Sequence, residues 1–172
     1  MRRTAELTLI GTFIAMLIGA QLALSFISGV EIVTVLFLAF AFRFGVRRGV
    51  IVATLFSLLR CFVFGFFAQV LILYLVYYNL FAITAGLIGA RYRHEISGYA
   101  LVTVTLFAVA ATLCFTALDN LITPVFFGFS VAAAKAYAIA SLPTVIPHVI
   151  CSAITVIALF VPVIKIFKLC RQ

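Results

Sequence analysis

The sequence predicts an all-α integral membrane protein, residues 1–172 forming one bundle of six transmembrane helices with the N- and C-termini in the cytoplasm. Three observations predict it. Apolar residues make up 67% of the 172 residues and charged ones only 9%, against about 25% charged in a soluble domain. Mean hydropathy is +1.37, and at about 20 residues per span the chain has room for roughly six spans and no separate soluble domain. The positive charges fall in short clusters between apolar runs, the pattern of cytoplasmic loops under the positive-inside rule. That clustering assigns the formal net charge of +8 to a lipid bilayer and excludes nucleic acid as the partner.

The first apolar run, residues 7–27, follows the start MRRTAEL and ends at Ser28-Gly29. It is too long for a signal-peptide core and shows no small-residue cleavage site, so it reads as a retained helix. It carries Gly11, Ala15, Gly19 and Ala23, each four positions after the last. On a helix these form one smooth stripe, which lets another helix approach closely. The second span, 31–44, is short and ends at the basic turn Gly45-Val46-Arg47-Arg48-Gly49. The third covers 50–64, with Gly65 at its end, and the fourth covers 70–90, followed by Arg91-Tyr92-Arg93-His94-Glu95. The fifth, 98–122, is predicted to stop before Pro124, leaving 123–136 as the longest non-spanning stretch. The sixth, 137–166, has Pro143 and Pro147 in its first half, where a kink or break is predicted. The second and third spans are short for a bilayer, so five spans is the alternative count.

With the N-terminus inside, Arg2, Arg3, Arg43, Arg47, Arg48, Arg91, Arg93, Lys165, Lys168 and Arg171 all lie on the cytoplasmic side. Lys135 alone lies outside, and Arg60 lies within the membrane. This topology sorts the polar residues by depth. Glu31 and Gln69 fall in outer connections; Tyr74, Tyr77, Tyr78 and Asn79 in the outer half of the fourth span; Asp119 and Asn120 at the outer end of the fifth. Lys135 and Tyr137 precede the sixth span, and His148 is at mid-depth in it. An Arg as deep as Arg60 costs roughly 2.5–3.5 kcal/mol on insertion scales, so it faces a cavity or a partner. It is either a ligand anchor, or part of an ion pair with Asp119 or Glu31, or a side chain snorkelling outward. The other polar residues have the same two sides. The tyrosines are a ligand-stacking surface or an aromatic belt, Asp119-Asn120 a ligand contact or a polar helix end, and His148 a ligand contact or a satisfied core histidine.

No G-x-x-x-x-G-K phosphate loop followed by Ser or Thr, nucleophile elbow, H-E-x-x-H or carboxylate cluster is present. Cys61, Cys114, Cys151 and Cys170 show no C-x-x-C spacing, and His94 and His148 are far apart. No metal, cofactor or catalytic residue is expected.

The chain resembles the substrate-binding S components of energy-coupling factor (ECF) vitamin transporters over essentially its whole length. The resemblance lies in its size, its six predicted spans with both ends inside, and Ala15-Met16-Leu17-Ile18-Gly19. It extends to the run Gly45-Val46-Arg47-Arg48-Gly49 leading into a third span that ends Phe64-Gly65-Phe66-Phe67, and to Gly86-Leu87-Ile88-Gly89. The family's usual small-residue motif has alanine at both ends; here Gly19 takes the second position and Gly11 extends the ridge. The resemblance implies a non-enzymatic subunit of a bacterial plasma membrane that captures a vitamin-type molecule from outside. It implies docking on a shared transmembrane coupling subunit driven by two ATPase subunits, with Gly11, Ala15, Gly19 and Ala23 as the docking ridge. In the family, the bound S component is thought to topple in the bilayer, carrying its pocket from the outer to the inner face. The family's ligand region maps to Glu31, Gln69, Tyr74, Tyr78, Asn79, Asp119, Asn120, Lys135, Tyr137 and His148. The aromatic, sparsely charged outer side suits an uncharged or weakly anionic ring compound. A corrinoid of the cobalamin type, lipoate and a small aromatic vitamin are all open, with a lean to cobalamin. The competing readings are a stand-alone transporter or channel without ATPase partners, and a small membrane enzyme or assembly factor.

Overall fold

The computed structural model describes residues 3–25, 32–92 and 96–169. These form six helices and no strand: α1 (Arg3–Leu24), α2 (Val33–Phe44), α3 (Val46–Phe64), α4 (Ala68–Arg91), α5 (Gly98–Phe126) and α6 (Val131–Leu169). Among the described residues, four helices, α1, α4, α5 and α6, are long and apolar enough to cross a membrane. The chain is therefore an all-helical protein with the makings of a multi-pass membrane protein. α3 has the length, but carries Arg47, Arg48 and Arg60. α2, with 12 residues, rises only about 18 Å at 1.5 Å per residue, against a hydrocarbon core of about 30 Å.

α2 forms the core of the bundle. Val33, Thr34, Val35 and Phe37 through Phe42 are all buried, as expected of a helix apolar on every side. It packs against every other helix of the bundle. Its phenylalanines interlock with their neighbours: Phe40 stacks on Phe13 of α1 with centroids 4.2 Å apart. Phe42 meets Phe160 of α6 edge-on at 5.3 Å, and Phe37 meets Tyr78 of α4 at 5.3 Å. α1 is peripheral by comparison and packs on α2 and α3. It buries Ile10, Phe13, Ile14 and Leu17 and leaves its other side open.

Close backbone approach fixes α4 against the corner between α2 and α3. Gly45, with φ 84°, is the single non-helical residue at that corner, a conformation that favours glycine. A Cβ on Gly86 would lie 2.6 Å from the Val46 nitrogen, and one on Gly89 would fall onto the Phe42 carbonyl. Gly49 meets Ala41 and Ala82, each 3.3 Å from where its Cβ would be. Small residues on facing helices thus bring backbones together where no side chain fits.

The second half of the chain departs from the sequence expectation. α5 does not stop before Pro124 but runs through it to Phe126. Proline's fixed φ is compatible with a helix, although inside one it removes a hydrogen bond and crowds the carbonyl four residues back; the helix ends instead where Gly128 turns with φ 64°. α6 starts at Val131 rather than Tyr137, with the Ser130 hydroxyl accepting from Ala133 N at 3.3 Å, an N-cap that the sequence reading missed. The expected connection 123–136 shrinks to residues 127–130. α6 is also one unbroken helix of 39 residues through Pro143, Pro147 and Pro162. Pro143 and Pro147 lie on its exposed side. Beside them, Ser141 Oγ donates to Ala138 O and Thr144 Oγ1 to Ser141 O, both within 2.8 Å.

Cations gather at one end of the bundle. Arg43 closes α2, Arg47 and Arg48 open α3, and Arg91 closes α4 where its glycines meet α2. Lys165 and Lys168 flank Phe167, whose ring lies 5.5 Å from Phe44 at the end of α2. At this end Arg48 pairs with Glu6 of α1, Nε to Oε1 at 2.6 Å.

Candidate functional site

At the opposite end, three helices converge on Arg60. It lies in the last turns of α3, Gln21 in the last turn of α1, and Tyr74 in the second turn of α4. The Arg60 Nε–H donates to Gln21 Oε1 at 3.2 Å, and Gln21 Nε2 donates to the Tyr74 hydroxyl at 3.1 Å. The guanidinium carbon also lies 4.3 Å from the Tyr74 ring centroid and 4.8 Å from that of Phe64. Ring faces attract a cation and restrict its motion. Tyr74 itself is propped by other rings: Tyr78 at 5.1 Å, Phe115 at 5.9 Å and Phe56 at 6.3 Å.

The structure separates the residues nominated by the sequence into two groups. Around Arg60 stand Tyr74 and Tyr78, the latter a buried core ring behind Tyr74. Asn79 ties α3 to α4, accepting from Thr54 Oγ1 at 3.1 Å while donating to Leu75 O at 2.7 Å. Gln69 is half-buried in the first turn of α4. The second group bridges α5 and α6. Asp119 accepts from Thr123 Oγ1 and from the Tyr137 hydroxyl, each at 2.8 Å. Asn120 Nδ2 donates to Ser141 Oγ at 3.1 Å, while its Oδ1 is buried without a partner among the described residues. Lys135 is exposed and lines an open hollow of about 600 Å³ with Pro124 and Phe129. His148 is half-buried, eleven positions beyond Tyr137 along α6. Glu31 lies outside the described residues.

Phe115 connects the groups: its ring touches Tyr74, and Asp119 follows one helical turn later on α5. The ion pair between Arg60 and Asp119 is not formed, because Asp119 is taken up by Thr123 and Tyr137. Sequence reasoning missed Gln21. Its signal was present, an amide in an apolar run, but the stripe of small residues drew the reading to another face of the same helix.

That stripe is on the surface. Gly11, Ala15, Gly19 and Ala23 are all exposed, and a Cβ on Gly11 or Gly19 would meet nothing within 4 Å. Beside it runs an apolar groove of about 470 Å³ between α1 and α3, with Leu7, Gly11 and Ala15 on one wall and Leu59, Phe62 and Val63 on the other. No protein family, curated protein or solved structure matches the chain.

Proposed function

We propose that the protein is the substrate-binding subunit of an ECF-type vitamin uptake system in a bacterial plasma membrane. It captures its ligand at the Arg60 end, which faces outward. It docks through α1 on a coupling subunit whose two ATPase partners hydrolyse ATP. All six helices take part in the membrane domain, with both termini cytoplasmic. The observation that carries this reading is the small-residue ridge, open to the surroundings on a peripheral helix whose other face is packed. A helix surface that smooth, left uncovered by its own bundle, suits close contact with a helix of another subunit.

The test begins with native mass spectrometry of the gently purified protein, which identifies a co-purifying ligand. Uptake of that ligand is then compared in cells with and without the coupling subunit and its ATPases. Loss of uptake without them is the expected result; uptake that persists establishes a stand-alone transporter instead. Topology has its own check. Lys135→Cys is expected to react with an impermeant maleimide on intact cells, above the background of the native cysteines. Arg47→Cys is expected to react only after permeabilisation. The reverse pattern would invert the orientation, and labelling of both from outside would refute the six-span arrangement.

A further inference from the structure

The Arg60 cluster is a cation held between an amide and two ring faces. Two carboxylates fall among the described residues and both are occupied, Glu6 by Arg48 at the other end of the bundle and Asp119 by Thr123 and Tyr137. Arg60 is thus a cation without a described counter-charge. Its Nε–H is committed to Gln21, while Nη1 and Nη2 have no hydrogen-bond partner among the described residues. The residue is part-exposed.

The surroundings hold the group still. Gln21 is locked in one orientation because its oxygen accepts from Arg60 and its nitrogen donates to Tyr74. The rings of Tyr74 and Phe64 lie against the guanidinium carbon. Ring contacts leave the in-plane N–H donors available, and a guanidinium edge matches the two oxygens of a carboxylate in a bidentate pair. One cation among phenyl and phenol rings balances one negative charge. A dianion such as a phosphate monoester would bring a second, uncompensated charge into the same apolar surroundings.

We infer that Arg60, positioned by Gln21 and Tyr74, binds the carboxylate of a singly charged ligand with an apolar or ring-shaped body. This rests on the substrate-capture reading above and narrows it to a monocarboxylate.

The test uses the full chain purified in detergent, with octanoate and benzoate as probes and octanamide and benzamide as their uncharged counterparts. At least one carboxylate is expected to raise the thermal unfolding midpoint while its amide does not. Arg60→Met is expected to keep a cooperative transition and lose the response. Gln21→Leu is expected to weaken the apparent affinity about tenfold, the scale of one hydrogen bond to a charged group. Should Arg60→Met fail to fold, Arg60→Lys keeps the charge without the fork and is expected to weaken binding by about the same factor. The inference is overturned if neither carboxylate shifts the wild-type chain, if the amides act equally, or if the Arg60 variants respond like wild type. A phospholipid that co-purifies with wild type, is lost in Arg60→Met and is not displaced by carboxylate also overturns it, because the group held is then a lipid phosphate. Failure on any of these counts leaves the dependence of uptake on ATPase subunits untouched. Uptake without those subunits would sink the transporter reading and leave carboxylate binding standing.

Discussion

Gly89→Leu is expected to yield no folded protein. At Gly89 the α4 backbone lies against the last turn of α2, and a Cβ there would sit on the Phe42 carbonyl and 2.8 Å from Phe42 Cα. The obstacle is main chain in the last turn of a helix that packs against every other helix, so no rotamer change relieves it. Overpacking a core commonly costs about 1–3 kcal/mol, and this overlap with backbone exceeds the ordinary case. Gly86→Leu meets the Val46 backbone in the same way. Gly11→Leu is the control, since it enters open space. Size-exclusion profiles of fluorescent fusions measure the difference: an aggregated or absent peak for the α4 variants, and a wild-type peak for Gly11→Leu. A monodisperse Gly89→Leu protein would show that the α4 contact with α2 is looser than the geometry described above.

On the proposed docking through α1, Gly19→Trp is expected to abolish uptake while leaving ligand affinity nearly unchanged, and Ala15→Trp to do the same. Both positions are exposed, and Gly19 has free space around it, so the isolated chain accommodates the ring. The helix of the proposed partner would not. Close helix contact through small residues depends on backbone approach, and an indole would hold the two surfaces apart. Two measurements separate the outcomes: ligand binding by the purified variant, and uptake by cells that contain the coupling subunit and both ATPases. Normal uptake by these variants would refute docking through the ridge. Lost binding would place the ridge in the ligand site rather than at the partner interface.

How far the sequence reaches depends on what sets each feature. The apolar runs were legible because burial in lipid or protein is written directly in composition, and the helical class followed. Glycines were harder. The ridge of α1 and the pair Gly86 and Gly89 look alike in one dimension, yet the first faces outward and the second is locked against another backbone. Only the packing of α4 on the α2–α3 corner distinguishes them. Prolines misled in the other direction. Pro124 suggested an end, and Pro143 and Pro147 a kink or a break, but the helices run on through all three. At the candidate site, expected depth singled out Arg60, and Tyr74 lies beside it. Gln21 escaped notice because its importance lies in contacts with residues 39 and 53 positions away. Such pairings depend on which helices become neighbours, and spacing along the chain does not encode that.

The central position of α2 also bears on how the chain is made. Its tightest surroundings include α4 and α6, which leave the ribosome well after it does. A segment of 12 residues is too short to rest stably across a bilayer by itself. During synthesis it must therefore wait, held near the membrane by its neighbours in sequence, until the last helix arrives to close around it. Such long-range closure is slow and leaves apolar surface uncovered in the interval. A helix made early is thus among the last to be fully enclosed.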